Sequence, residues 1–489
     1  MKTIFNKIMI VALAISFAGC DFLETDYYRG IDVDSGLDNV TNIETAVTGA
    51  YYNLYTRYFA GNHAVNIGDI PTDITYWNTK TGHYDKLYQF TADQNDTYLF
   101  YIWEYGYKVV DNSARIIKAS KALYDDATDD DKARLDICMA EAYALRAYAN
   151  LIMVNVYAHQ VKVNGNDFSS MPGLVISDEP VVPFSEISRS TVGETYNFIL
   201  SDLSASLEHF KTVGGDRQDR CVFGVAAVYG LQARANLYLE NWNAAKTAAA
   251  AALETAGIEE LTYTEAAYKA LYNGEGSNTE SFFYLDINAS QNWSSNSCGT
   301  LWTTYNFSPS PKLLSLYADT DVRKAIMGFD PSTTPENPVY GGGKYAAFGS
   351  GNPAYATCYL VNAPEMYLIE AEAALQGNDL TGAKNALLTV AKRNTAIAGV
   401  GDLPSSKAEL LAFIKDERAR ELFQEGLRLW DLRRWGDKVS VNAIAAPAIE
   451  FGVKDYQISD LVYPIPDDEI NAGFGVEQNE GWAKTLPAK

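Results

Sequence analysis

The segment "ERARELFQEGLRLWDLRRWG" (417–436) sets four acidic residues and five arginines around two tryptophans. A carboxylate in such company does acid–base work only if it is left isolated in a perturbing environment. Its spacing argues otherwise. On a helix, Glu417, Glu421, Gln424, Arg428 and Leu432 fall along one stripe, with acids preceding arginine at three- and four-residue intervals. That is the favourable order for intrahelical pairs. Arg420, Phe423, Leu427, Trp430 and Arg434 form a neighbouring stripe, apolar in its middle. The pattern predicts that Glu421, Glu425, Arg428, Asp431 and Arg434 form a buried or half-buried polar network that locks a scaffold. Gly426 is expected to admit a close neighbouring helix and Gly436 to end the run.

Other chemistry is sparse. The four histidines are His63, His83, His159 and His209, and no HExxH, GxSxG or Gly-rich phosphate loop occurs. His63 and His83 sit in a loop-rich stretch, as surface residues or as ligand contacts. With 62 acidic residues, composition alone leaves a glycosidase-like carboxylate pair open, but nothing singles one out. Asn164, Asn166 and Asp167 in "NGNDF" offer calcium-type oxygens without the rest of an EF-hand loop. Cys138, Cys221, Cys298 and Cys358 form no CxxC or Cys/His cluster, so neither zinc nor redox chemistry is indicated, and no disulfide can be inferred. Cys138 and Cys221 read as buried small hydrophobes.

The tryptophans say more. Trp103 and Trp242 lie in or beside helical patterns. Trp77, Trp293 and Trp302 lie in polar loops without periodic apolar neighbours, and flat aromatic faces suit the apolar faces of sugar rings. The candidate ligand site is therefore Trp77, Tyr84, Trp293, Trp302 and Tyr305, with Asp69, Asn78, Asn292 and Asn296 as hydroxyl partners. The competing expectation is that these rings pin the loops to the scaffold.

The elements that must position them are mostly helices. Apolar residues recur at helical spacing over 98–120 and 131–157. Thr191 with Glu194 has the capping-box spacing at the head of a helix to residue 210. Residues 223–253 and 364–393 share a layout: a small-residue helix, a short polar turn, then an alanine-rich helix. Small side chains let paired helices approach closely, as in tetratricopeptide-type repeats. The expected fold is all-α, a tetratricopeptide-like helical scaffold. Three long irregular insertions interrupt it, at 58–97, 273–312 and 328–357, and loops of such length are more often functional than accidental.

A chain of 489 residues with formal net charge −23 repels phosphate backbones, which argues against nucleic acid as a partner. "MKTIFNKIMIVALAISFAGC" places Lys2 and Lys7 before a 12-residue apolar run ending at Gly19. That run is too short to span a bilayer and reads as a signal peptide. Ala18 and Gly19 before Cys20 resemble a bacterial lipobox, although Phe17 stands where leucine is usual. The expectation is an exported chain tethered through a lipid on Cys20. It divides into a signal peptide (1–19), an N-terminal helical region (21–270) and a C-terminal region (271–489).

"EMYLIEAEAALQGN" (365–378), the charged segment 417–436 and "YPIPDDEINAGFGVEQNEGW" (463–482) follow in order, and together they resemble the RagB/SusD family of outer-membrane lipoproteins. One departure is Val361-Asn362-Ala363, where the family often carries arginine. The resemblance implies a SusD-like fold and a surface-facing outer-membrane lipoprotein. It would bind an oligosaccharide or another nutrient and act as a lid on a SusC-like TonB-dependent transporter. It implies no catalysis and requires no cofactor or metal. "DFLETD" after Cys20 is similar to the signals that send such lipoproteins to the cell surface. Two other readings compete: a surface-anchored glycan hydrolase, with a carboxylate pair roughly 5 to 9.5 Å apart, and a helical-repeat scaffold gripping another protein.

Overall fold

The computed structural model describes residues 36–78, 80–274, 276–305, 307–330, 332–333, 339–439, 456–457 and 462–479. The leader, Cys20 and the Gly481-Trp482 end of the C-terminal motif lie outside the described residues. The main helices are α1 (Val40–Tyr55), α2 (Thr97–Tyr124), α3 (Asp129–Tyr157), α4 (Val192–Val213), α5 (Val225–Tyr238), α6 (Trp242–Ala256), α7 (Ala363–Gln376), α8 (Leu380–Ala391), α9 (Lys407–Glu421) and α10 (Arg428–Trp435), and α2 to α8 fall on the expected periodicities. Consecutive helices pack on one another from α1 to α6, α6 then packs on α7, and α7 on α8 and α9. This nearest-neighbour pattern is that of a helical repeat. The predicted pairs are α5/α6 and α7/α8, and their alanines face inward: Ala245, Ala249, Ala252, Ala371 and Ala383 are buried.

Caps set the helix ends. Asp96 accepts the amides of Tyr98 and Leu99 at the start of α2. The Thr191–Glu194 capping box opens α4 as expected. Helix α3 is apolar on nearly every face and has the length and composition to cross a membrane, but it is almost wholly buried as the central helix of the scaffold. Among the polar groups it carries inward, Arg146 donates to both oxygens of Asp202 on α4, at 2.8 and 2.7 Å.

The fold is not purely helical. The irregular insertions contain short strands, β1 (Thr75–Trp77), β2 (Ser281–Leu285) and β3 (Phe307–Pro309), and a fourth, β4 (Cys358–Asn362), follows the last insertion. β1 pairs antiparallel with β3, Trp77 opposite Phe307, and β2 pairs antiparallel with β4, Leu285 opposite Cys358. These ladders hold the insertions on the scaffold. Cys138, Cys221, Cys298 and Cys358 are free thiols. Cys298 and Cys358 face each other in the core with their sulfurs 3.7 Å apart, while Cys221 is only half-buried and precedes α5.

The charged segment is the polar lock its composition predicted, but not one continuous helix. α9 ends at Glu421; Gln424 and Gly426 adopt positive φ, 67° and 75°, and the chain restarts as α10. Gly426 lies, as expected, close against a helix, the one-turn segment His63–Asn66, whose backbone it meets at Val65. A Cβ on Gly426 would sit 2.4 Å from the Val65 carbonyl oxygen, and one on Gly68 would sit 1.9 Å from the Gly426 carbonyl. Gly436 ends α10 at φ 65°, as expected.

The ion pairs run mostly outward from the segment. Fully buried Arg323 bridges Asp321, Glu417 and Glu421. Lys344 pairs with Glu425. Arg418 and Arg434 share Asp431, and Arg434 also donates to both oxygens of Glu372, at 2.6 and 2.7 Å. Arg428 pairs with Asp73 rather than with Glu421 or Gln424. The C-terminal motif also serves packing. Glu469 accepts the Trp103 indole N–H at 3.0 Å. Gln478 bonds both backbone groups of Ile465, and Asn479 donates to the carbonyls of Tyr157 and Tyr463.

Candidate ligand-binding site

A cleft of about 330 Å³ opens where the turn after α1, the His83–Tyr84 loop, the first turns of α2 and the 295–305 loop meet. Its floor is a chain of buried hydrogen bonds whose directions can be assigned. The Trp302 indole can only donate, and it does so to Asn66 Oδ1 at 2.9 Å. Asn66 therefore presents its amide nitrogen to Asn62 Oδ1, at 2.6 Å. Asn62 Oδ1 also accepts the Tyr84 hydroxyl at 2.9 Å, and Asn62 Nδ2 donates to the Asn296 carbonyl at 2.6 Å. Having donated its one proton, the Tyr84 hydroxyl accepts from His63 Nδ1 at 2.6 Å. His63 is thus fixed as the Nδ1–H tautomer. Burial, followed by the nearby Arg57 and His83, pushes its pKa down to about 3, so the ring stays neutral.

The walls are aromatic. Tyr84 stacks on Tyr98 with ring centroids 4.0 Å apart, and His63 meets Tyr98 edge-on at 4.9 Å. Tyr98, Tyr101 and Tyr105 follow at the three- and four-residue spacing that aligns side chains along α2. Tyr58, from the turn after α1, lies against this row, 4.2 Å from Tyr101 and 4.9 Å from Tyr105. Tyr305 closes the opposite side against His83 at 4.8 Å. Tyr58, Tyr98, Tyr101 and Tyr105 are all half-buried, so ring surface remains at the cleft and beside it.

Of the residues picked out by sequence, the structure brings Tyr84, Tyr305 and Asn296 together in this cleft. Others are placed differently. Trp302 is buried in the core at 1% exposure, packed on Phe307 and Phe423. Trp77 is buried in β1 against Tyr88. The expectation that these two rings lack apolar neighbours is therefore corrected: strand pairing and the 423 segment, distant in sequence, supply them. Asp69 is also buried, accepting the amides of Gly426 and Arg428, with its pKa raised to about 6 by burial. It is committed to the backbone lock and does not face a ligand. Trp293 is half-buried against Tyr55 at 5.5 Å, with its indole N–H lacking an acceptor among the described residues. Asn292 and Asn78 are half-buried and bond to their own loops, outside the cleft lining.

Sequence reasoning missed Tyr58, Tyr98, Tyr101 and Arg57. The spacing of Tyr98, Tyr101 and Tyr105 was visible, but it reads equally as one face of a core helix. His63 and His83, left open between surface and ligand contact, both line the cleft.

A sequence profile of the SusD family matches residues 363–482, and a second profile, described as starch-binding and associating with the outer membrane, matches residues 21–237. Among curated proteins, the SusD-like protein P2 of Formosa agariphila is 22% identical over 206 residues, 41% of this chain and 37% of that protein. The match therefore spans little more than a third of the relative's length.

Solved structures are similar over nearly the whole fold. A SusD superfamily protein from Bacteroides thetaiotaomicron aligns with TM-score 0.80 at 20% identity, over 90% of this chain and 99% of that one. A SusD superfamily protein from Bacteroides vulgatus gives 0.78 at 21%, over 91% and 99%. A SusD-like carbohydrate binding protein from Bacteroides vulgatus gives 0.73 at 21%, over 92% and 98%. At these identities the likeness is one of fold.

Proposed function

Because the chain belongs to the SusD/RagB family, we propose that it binds an oligosaccharide in the tyrosine-walled cleft, at the surface of the outer membrane. The observation that carries this reading is the cleft's composition. Half-buried aromatic rings stand beside neutral hydrogen-bonding groups, the pairing that suits the apolar faces and hydroxyls of sugars. The carbohydrate-binding description of one similar structure and the starch-binding, outer-membrane description of the matching profile support the same reading. Tyr305 and Asn296 keep their proposed roles, joined by Tyr98 and Tyr101, while Tyr84, 2% exposed with its hydroxyl held between Asn62 and His63, backs Tyr98 from the floor. Trp293 and Asn292 are proposed as a more distant contact for a longer chain.

The proposal extends to the tether and the partner. Cys20 carries the lipid, and the protein serves as a lid that delivers the bound glycan to a SusC-like TonB-dependent transporter. The hydrolase reading gains no support, since no aspartate or glutamate lines the cleft among the described residues.

Two measurements test this. Titration calorimetry of the mature chain against a panel of oligosaccharides should find a ligand whose binding is weakened by Tyr101→Ala and which is recovered unhydrolysed. Pull-down of the intact lipoprotein from detergent-solubilised membranes should recover a large β-barrel. Release of shortened glycan, or recovery of the lipoprotein without a barrel, would count against the respective half of the proposal.

A further inference from the structure

We propose that the cleft selects glycans bearing an anionic group, a carboxylate or a sulfate, and that Arg57 is the residue that reads it. The inference rests on the proposed glycan site and adds the chemical class of its ligand. About one residue in eight of the chain is acidic, and the whole carries formal charge −23. Yet among the described residues lining the cleft there is no carboxylate, and the one permanently charged group is Arg57. His63 is held neutral by burial, and burial lowers the pKa of His83 as well.

Arg57 differs from the other described arginines. Each of those is tied to a carboxylate, as Arg146, Arg234 and Arg323 are, or to several backbone carbonyls, as Arg189, Arg220 and Arg433 are. Arg57 has neither. Its Nη2 donates to the Tyr58 hydroxyl at 2.8 Å, and the guanidinium carbon lies 4.6 Å from the Tyr58 ring centroid. Ring and hydroxyl position the fork but, among the described residues, leave its charge without a counter-ion. A half-buried guanidinium favours an anion that accepts its N–H groups in pairs, as carboxylates and sulfates do. The acids next in sequence to the cleft-lining Tyr84 and Thr97 are otherwise engaged. Asp96 caps α2 through the amides of Tyr98 and Leu99, and Asp85 accepts the Lys86 amide.

Calorimetry on the mature chain would use tetragalacturonate, its methyl ester, a sulfated galactan tetrasaccharide and neutral maltotetraose. Binding of the carboxylated or the sulfated probe at least tenfold tighter than the ester and maltotetraose supports the proposal. That binding should fall at least tenfold in Arg57→Gln, recover in part in Arg57→Lys, and weaken as salt rises. Whichever anionic probe prevails identifies the group. Arg57→Gln removes the Tyr58 contacts but no ion pair among the described residues, and circular dichroism would verify that it folds. Equal binding of neutral and anionic probes, unchanged in Arg57→Gln but lost in Tyr101→Ala, would overturn the charge inference while keeping the glycan site. Failure of every probe, and of the wider glycan panel, would overturn both.

Discussion

Arg428 holds Asp73 through two parallel hydrogen bonds, Nε to Oδ1 and Nη2 to Oδ2, each 2.9 Å long. Both side chains are buried, at 7% and 4% exposure, and 355 positions separate them in sequence. Lys312 adds a second cation to Asp73. Removing one member of such a pair leaves the other charge buried and uncompensated, which typically costs about 3–5 kcal/mol. Asp73→Ala is expected to lose stability of that order in urea unfolding. Adding Arg428→Met should recover part of the loss, because the stranded guanidinium is then gone. If Asp73→Ala unfolds at the wild-type midpoint, the pair does not hold the N-terminal insertion to α10.

The Gly68–Gly426 contact makes a second prediction. Gly426 combines a left-handed φ of 75° with the Val65 carbonyl where a Cβ would stand, and Gly68 faces the Gly426 carbonyl in turn. All the opposing atoms are backbone, so nothing short of moving the two segments apart relieves the clash. Either glycine replaced by alanine is expected to destabilise the fold by more than about 2 kcal/mol. Gly401→Ala, with open space around its Cβ and no positive φ, should stay within about 0.5 kcal/mol of wild type. Thermal melts of the three variants check the contrast.

That contact also marks where sequence stopped being informative. The helical pairs α5/α6 and α7/α8 and the Thr191–Glu194 box follow from spacing within a few turns, and spacing is local. The burial of the polar residues of 421–434 was legible too, but their partners Arg323, Lys344, Asp73 and Glu372 were not. The break at Gln424–Gly426 answers to Gly68, more than 350 residues away. The strands answer to partners more than 70 residues away. Local composition contains neither. The tryptophans show the same limit: Trp302 has polar neighbours in sequence but Asn66 and Phe423 in space. The tyrosine wall was half legible. The row along α2 could be read, but Tyr58 lying against it could not.

Acid stability should depend on the charged lock. Burial alone would raise Glu417, but the Arg323 and Arg420 guanidiniums outweigh it and hold the carboxyl at about 2. Glu372 and Asp431 are lowered likewise, burial being outweighed by Arg434 and by Arg418 with Arg434. A carboxyl with a depressed folded-state pKa stabilises the fold above its unfolded value, and this is lost as pH falls from about 4.3 through 2. For Glu417 this amounts to roughly 3 kcal/mol. Asp69 and Glu141 act oppositely, because burial raises them to about 6 and about 7. They penalise the folded state increasingly as pH rises from about 4 to 7. Urea midpoints across pH 2 to 8 should therefore peak near pH 5 and fall steeply below 4. Glu141→Gln should flatten the neutral side. A profile that climbs steadily from pH 4 to 8 would contradict the assignment of Asp69 and Glu141.

Trp302 and Tyr101 separate folding from binding. Trp302 is buried, packs on Phe307 and Phe423, and donates the bond that orders Asn66, Asn62, Tyr84 and His63. Its truncation leaves a large cavity and an unpaired Asn66 oxygen, so Trp302→Ala should cost about 3–5 kcal/mol of stability. Any loss of ligand in that variant would follow from a collapsed floor. Tyr101 is half-buried and touches Tyr58 from the open side. Tyr101→Ala should change stability by about 1 kcal/mol or less yet weaken glycan binding by ~1–2 kcal/mol. The two effects are read from a denaturation midpoint and a calorimetric titration on the same preparations. A Trp302→Ala protein that melts like wild type and binds less would return that indole to the ligand face. A Tyr101→Ala protein with unchanged affinity would remove the tyrosine wall from the site.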